Sequence, residues 1–296
     1  MTNGMRHVLG LCLLMLAATA SAQTLWTTTT FPQDKDKAWW DDAWWQRGVL
    51  PVAVNHEVVT RKASFASGDV DVPVQILAPR GAGRFPVVVF LHGRRGIDDG
   101  TTLVPLRLAA RGFTVVVPDL YSGRFAEPFP LRHDVALEVD AARAIDFALA
   151  LPEARGQAKT CVVSHTRGGY YALKALVTEK RQDRTACQVA YYPHWQHPDA
   201  PEPLQVYQYA PEIEALRVPT LAFLGEHEQY HRARSVLASI DALQAKRRDA
   251  SVIVYPGVGR GFEFRPRAVR SFADDLAAKD AVQRSADFLQ RHLRAN

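Results

Sequence analysis

The apolar positions of the chain follow two alternating patterns. Short continuous runs, of which residues 85–91 (FPVVVFL) are the clearest, predict strands that are buried on both faces. Longer stretches, such as residues 131–151, place apolar side chains three or four positions apart, which predicts helices with one buried face. Because strands alternate with helices, the sequence predicts an α/β fold with a mostly parallel sheet and helices on both faces.

The predicted elements fill the chain from residue 70 to its end. The predicted strands are 70–77, 85–91, 113–117, 160–164, 188–192, 220–224 and 251–255. The predicted helices are 101–111, 131–151, 168–180, 232–248 and 281–293. Ligands of parallel sheets bind beyond the carboxyl ends of the strands, so the loops that follow these strands are where functional residues are expected.

The first 22 residues have a different pattern. Arg6 precedes an apolar run at 8–18, and Ala20-Ser21-Ala22 forms a small-residue cleavage site. This pattern predicts a secretory signal peptide, with a buried N-terminal helix as the alternative, and the run is too short to span a bilayer. We therefore expect an exported protein, periplasmic or secreted, without a membrane span.

Residues 23–60 form a separate segment rich in tryptophan. Four indoles fall in the stretch KAWWDDAWWQRG, the last of them at Trp45. Burying such large side chains stabilises a fold, so we predict that the segment packs on a main domain formed by residues 61–296. A platform for a carbohydrate or an aromatic ligand is the alternative.

Composition and charge exclude several classes of protein. Of 296 residues, 47% are hydrophobic and 23% are charged, which excludes a disordered chain. The formal net charge is +5, yet no block of five Lys or Arg residues occurs, so a nucleic-acid partner is not expected. The oligomeric state stays open.

Two cysteines remain after the predicted signal peptide. Cys161 and Cys187 each lie near the amino end of one of two consecutive strands, and neighbouring strands lie about 4.8 Å apart. That spacing suits a disulfide, and an oxidising compartment favours its formation. The prediction is a Cys161–Cys187 disulfide, with two buried free thiols as the alternative.

A set of motifs follows the carboxyl ends of the predicted strands. SHTRGG at 164–169 stands between a strand and a helix, where α/β-hydrolases carry the G-x-S-x-G nucleophile elbow. His92-Gly93 follows an earlier strand, where such folds place part of the oxyanion hole. LGEHEQY and YPGVGRGF then follow two later strands, in the chain order of a catalytic acid and base.

From about residue 70 to the end, the sequence resembles the dienelactone hydrolase family. The markers are PVVVFLHGRRG, LAARGFTVVVPDLYSGR, SHTRGGYYAL, VPTLAFLGEHE, YPGVGRGF and SADFLQRHL. The resemblance implies an α/β-hydrolase fold and a triad of Cys or Ser, Asp and His. By motif, the nucleophile position is Thr166, the acid position is Glu228 and the base position is Arg260, while Gly93 stands where the family often has glutamate.

These departures leave two functions open. A guanidinium stays protonated at biological pH and cannot accept the proton of a nucleophile, so Arg260 predicts lost or strongly impaired triad catalysis. The alternative is an active ester or lactone hydrolase in which His194 or His227 serves Thr166 as a relocated base. His227 and His231 do not form an H-E-x-x-H motif, and no metal or cofactor is predicted.

Five arginines come from loops that should converge at this edge of the sheet. They are Arg94, Arg95, Arg124, Arg167 and Arg260. The helix that begins near Arg167 adds free N–H groups and the positive end of its dipole. A small anionic ligand would explain the cluster; structural ion pairs with Asp98, Asp99, Glu127, Glu226 and Glu228 are the alternative.

Overall fold

The computed structural model of the chain describes residue 45 and residues 55–294, and their strands form one eight-stranded sheet. Its strands are β1 (Val58–Ser67), β2 (Val70–Pro79), β3 (Val87–Leu91), β4 (Thr114–Pro118), β5 (Thr160–His165), β6 (Thr185–Tyr191), β7 (Thr220–Gly225) and β8 (Ala250–Tyr255). The spatial order is β1-β2-β4-β3-β5-β6-β7-β8. β2 pairs antiparallel with β1 and with β4, and the other neighbouring strands are parallel, as the alternating pattern predicts.

Helices connect the parallel strands. They are α1 (Leu103–Ala110), α2 (Ala136–Ala150), α3 (Gly168–Val177), α4 (Glu202–Tyr207), α5 (Tyr230–Ala245) and α6 (Phe272–Arg294). Every residue of β3 and of β5 is buried, because helices cover both faces of the central sheet. Among the described helices, none combines the length and the apolar character that crossing a membrane requires.

The boundaries differ from the sequence prediction most clearly at α2, α6 and β1. α2 begins not at 131 but at Ala136, where the Asp134 side chain accepts the Ala136 N–H at 2.9 Å and so caps the first turn. α6 begins at Phe272 rather than at 281, because Ser271 and Asp274 exchange hydrogen bonds that cap its first turn. β1 begins at Val58 and pairs with β2 along its full length, so this strand crosses the predicted boundary at residue 60.

Cys161 and Cys187 are joined by a disulfide in the structure. They are partners in the register of β5 and β6, with Cα atoms 4.8 Å apart, and both side chains are fully buried. The bond therefore fastens the strand that precedes the elbow to its neighbour in the middle of the sheet.

Of the tryptophan-rich segment 23–60, the structure describes Trp45 and residues 55–60. The Trp45 indole is 7% exposed and lies between two guanidinium groups, 4.7 Å from that of Arg107 and 4.1 Å from that of Arg270. Arg107 also donates a hydrogen bond of 3.1 Å to the Trp45 carbonyl. The other indoles of the segment and the predicted signal peptide lie outside the described residues.

Candidate active site

A sharp turn links β5 to α3 and carries Thr166. The φ angle of Thr166 is 44°, in the left-handed region that β-branched residues rarely adopt. Three hydrogen bonds hold the turn: the Thr166 N–H donates to Tyr191 O, and the N–H groups of Gly169 and His194 donate to Thr166 O at 3.0 and 2.8 Å. This strand–turn–helix geometry is that of a nucleophile elbow, which places the side chain at the top of the sheet. The strained backbone conformation costs about 1–3 kcal/mol, and the surrounding hydrogen bonds hold it in place.

Two glycines allow the elbow to approach β3. A Cβ atom on Gly168 would lie 2.2 Å from the Leu91 carbonyl oxygen, and one on Gly93 would lie 1.9 Å from Thr166 Oγ1. The Thr166 hydroxyl therefore packs against the backbone at Gly93. A glutamate side chain at position 93 would collide with that hydroxyl, which accounts for glycine at this position.

Glu228 and Arg260, which the sequence motifs match to the acid and base positions, form an ion pair. Arg260 Nη2 donates to Glu228 Oε1 at 2.6 Å and Arg260 Nε donates to Glu228 Oε2 at 3.2 Å. The Glu228 side chain is 1% exposed, and its Oε1 also accepts the Gln229 N–H at 2.8 Å. Glu228 and Arg260 thus meet as an acid and a base of a triad would meet, but the pair carries no group that can accept a proton from an alcohol.

Within residues 45 and 55–294, no side chain hydrogen-bonds the Thr166 hydroxyl. Its environment therefore supplies no general base in direct contact, and an alcohol without a base is a weak nucleophile.

Two histidines near the elbow are structural. His92 Nε2 accepts the Leu120 N–H at 3.1 Å, and its Nδ1 lies 2.8 Å from the Gly93 carbonyl, so both ring nitrogens have partners. His165 is 1% exposed and packs edge-on against Phe90. Burial lowers the pKa of His165 to about 3, which leaves it a poor proton acceptor at neutral pH.

His194 is the histidine most closely tied to the elbow. It follows β6, its N–H is bonded to Thr166 O, and its side chain is 7% exposed. Burial first, and then four positive charges, hold the pKa of His194 well below its usual range; these charges belong to Arg232, Arg260, Arg167 and Arg94. His194 is therefore neutral at pH 7, with its Nε2 unbonded among the described residues.

The structure brings together three of the five arginines expected at the site and adds a fourth. Arg94, Arg167 and Arg260 act on His194 together with Arg232, from the first turn of α5. Burial and the charge of Arg260 lower the pKa of Arg232 to about 10, and Glu228 opposes this shift. We call these four residues the arginine cluster. Arg232 was missed by sequence reasoning because it begins a predicted helix and does not follow directly after a strand.

The other two arginines form ion pairs outside the arginine cluster. Arg124 binds Asp140 with two hydrogen bonds of 2.5 and 2.8 Å, and Arg95 binds Asp98 with its Nε at 2.8 Å. For these two residues, and for Arg260 with Glu228, the structure shows the ion pairing that the sequence left as an alternative, although Asp140 is a partner that the sequence did not suggest. The described residues contain no group of three metal-ligating side chains.

Comparison with known proteins places this sequence in a family. The family model of the dienelactone hydrolases matches residues 72–293. The chain belongs to the dienelactone hydrolase family. No curated protein sequence matches it.

Solved structures of the dienelactone hydrolase type share the fold. A Klebsiella pneumoniae protein assigned as a dienelactone hydrolase has 20% identity and a TM-score of 0.64, over 79% of this chain and 99% of that one. A dienelactone hydrolase from Anabaena variabilis has 19% identity and a TM-score of 0.61, over 81% and 100%. A dienelactone hydrolase-like promiscuous phosphotriesterase from metagenomic libraries has 17% identity and a TM-score of 0.61, over 79% and 98%. At these identities the likeness shows the α/β-hydrolase fold.

Proposed function

We propose that this dienelactone hydrolase family member is an exported protein with lost or strongly impaired triad catalysis that binds a small anionic molecule in the arginine cluster. The observation that carries the proposal is the Glu228–Arg260 ion pair. It fills the acid and base positions with groups that hold each other and leaves the Thr166 hydroxyl without a base.

The catalysis that remains after loss of the base has a known order of magnitude. A serine-type triad that lacks one member retains roughly 10³–10⁴-fold catalysis over water, from the oxyanion hole and from binding. In this chain the backbone N–H groups of Arg94 and Arg167 bond to no backbone carbonyl of the described residues, so donors for an oxyanion remain available. Binding of an anion at the elbow is therefore retained while proton transfer is lost.

Charge supports an anionic ligand. The guanidinium groups of Arg260, Arg167 and Arg94 all act on Arg232, and Glu228 is the carboxylate that opposes them there. The cluster carries an excess of positive charge beside buried groups, which an anion would relieve. The Cys161–Cys187 disulfide and the predicted signal peptide both support export, because disulfides persist in oxidising compartments.

Restoration of a base tests the catalytic part of the proposal. Thr166→Ser together with Arg260→His should raise p-nitrophenyl acetate turnover at pH 7–8 by about tenfold or more over either single variant, because proton transfer by a positioned base contributes about 10²–10⁴-fold. Arg95→His serves as the matched control, since Arg95 pairs with Asp98 outside the cluster. Equal turnover of the double variant and the control would contradict the proposal.

Thermal shifts test the anion-binding part. Phosphate and acetate should raise the melting temperature by mass action, and Arg260→Ala should weaken this shift while Arg95→Ala should not. A shift that is absent, or that is equal in the two variants, would contradict anion binding in the arginine cluster.

An active ester or lactone hydrolase is the second candidate. One observation favours it: His194 is neutral at pH 7 and its backbone is bonded to the elbow. In that case His194→Ala would abolish turnover that also depends on Thr166, whereas the proposal predicts that His194→Ala leaves the background rate unchanged.

A further inference from the structure

Beside the elbow lies a group of buried hydrogen-bond donors that joins one member of the arginine cluster, Arg167, to two tyrosines outside it. Tyr121 follows β4 and is 2% exposed, Tyr171 lies on α3 and is fully buried, and Arg167 precedes α3 and is 8% exposed. The Tyr171 hydroxyl lies near both the Tyr121 hydroxyl and the Arg167 guanidinium, which act on its pKa. The charges of Arg167 and Arg94 in turn act on Tyr121.

These groups carry more hydrogen-bond donors than they can satisfy among themselves. The two hydroxyls and the Nε and Nη1 atoms of Arg167 make no hydrogen bond of standard geometry within the described part of the chain. Arg167 can only donate, and of the two hydroxyl protons at most one can be given to the other hydroxyl. At least one O–H, together with the N–H groups on Nε and Nη1 of Arg167, is therefore left for an acceptor.

The packing around the two tyrosines fixes where their hydroxyls lie. The Tyr121 ring meets the His92 ring edge-on at a centroid distance of 4.7 Å. The Tyr171 ring stacks on His133 at 5.8 Å, and His133 is held by Glu138 at 2.7 Å. These contacts hold both rings against movement, so the donors are preorganised rather than free to turn away.

We infer that Tyr121, Tyr171 and Arg167 form a buried subsite that binds one oxyanion group of the ligand, a carboxylate or a phosphate. The chemistry of the donors selects this class, because a guanidinium and two hydroxyls that all donate are complementary to a group that carries several acceptor oxygens and negative charge. Arg167 immediately follows Thr166, so the bound oxyanion lies next to the elbow. This subsite rests on the proposed anion binding, and it assigns to that function two tyrosines that lie outside the arginine cluster.

Isosteric variants separate ligand binding from folding. Tyr171→Phe and Tyr121→Phe each remove one hydroxyl, and each should weaken phosphate or acetate binding by about five- to tenfold, measured by calorimetry. Both variants should melt at or above the temperature of the parent protein, since each removes a buried polar group that has no partner in the free protein.

Tyr255→Phe is the matched control. Its hydroxyl is buried but donates to Asp280 at 2.7 Å, so its loss should lower the melting temperature by about 2–4 °C and leave anion affinity unchanged. Comparison of acetate with phosphate shows which oxyanion the subsite prefers, and either preference supports it.

The outcomes distinguish the subsite from the proposed function. Anion binding that depends on Arg260 but not on Tyr121 or Tyr171 overturns the subsite and leaves the proposed function intact. Absence of any anion binding in the parent protein overturns the anion-binding part of the proposed function and the subsite together.

Discussion

At the scale of single residues, Arg260 decides the chemistry of the site. A histidine in its place could accept a proton from the elbow residue, whereas a guanidinium only donates hydrogen bonds and remains charged. Glu228 supplies a carboxylate at the predicted acid position, and both of its oxygens accept hydrogen bonds from Arg260. The two residues that the sequence matches to the acid and base positions are therefore in contact with each other.

Glu228→Gln should destabilise the protein by about 2–4 kcal/mol, because it leaves a partly buried Arg260 among like charges without its partner. Phosphate should restore part of the lost stability by supplying the missing negative charge. The measurement is urea unfolding without phosphate and with phosphate in large excess over its dissociation constant. Arg61 and Glu153 form an exposed pair, so Glu153→Gln is the control and should change stability by less than about 1 kcal/mol.

Glu263 makes stability depend on pH near neutrality. Burial raises the pKa of Glu263 to about 7, and its carboxyl accepts a hydrogen bond from Tyr192. The folded state keeps the proton at pH values where the unfolded chain has lost it. The stability from this group is therefore full below about pH 4.5 and is lost as the pH rises through 7, by about 3 kcal/mol.

Glu263→Gln should remove this dependence. The melting temperature of the parent protein should fall relative to that of the variant as the pH rises from 5 to 8. His165, which lies 3.2 Å from the same carboxyl, has its pKa lowered to about 3 and stays neutral in the folded state throughout this range. A constant difference between the two proteins from pH 5 to 8 would contradict a raised pKa.

At the scale of elements, the site depends on how β5, β6 and α3 are held together. Thr166 is bonded through its N–H to the end of β6 and through its carbonyl to α3 and to the loop after β6. The Cys161–Cys187 disulfide fastens the same two strands at their other end. The strained elbow therefore stands on a pair of strands that is fixed at both ends.

Replacement of Cys161 and Cys187 by serine should lower the free energy of unfolding by about 3–4 kcal/mol, the closure entropy of a loop of this length. Two serine hydroxyls at fully buried positions add a further cost, so Cys→Ala at both positions is the better variant for the comparison. Thiol titration of the denatured parent protein should find no reactive thiol at these positions. Two reactive thiols without reductant would show that the bond is absent.

At the scale of the whole molecule, the sequence predicts β2 to β8 and the chain order of the elbow and of the loops that carry Glu228 and Arg260. β1 was not predicted, because most of its residues are exposed and form no apolar run. A short run of apolar residues between turn residues is most readily buried as a strand inside a sheet. The elbow is predicted by small residues between a strand and a helix. The early start of α6 was missed because its cap, Ser271 with Asp274, precedes the apolar pattern by several residues.

Contacts between distant segments are the part that the sequence does not reveal. Arg124 was expected at the site, but it turns to Asp140 on α2, which no motif marks. Arg232 and Tyr171 join the site from helices, where arginine and tyrosine are ordinary surface and core residues. Which partner a side chain contacts depends on its direction and on the competing charges around it. Both are determined only when the elements pack together.

The most direct test of the central claim is p-nitrophenyl acetate turnover by the purified parent protein and by Thr166→Ala, compared over pH 6–9. The account predicts that the two proteins have the same low rate, because Thr166 has no base and Arg260 cannot become one in this range. A parent rate that exceeds that of Thr166→Ala by about 10² or more would contradict it, since only a working nucleophile at the elbow could produce such a difference.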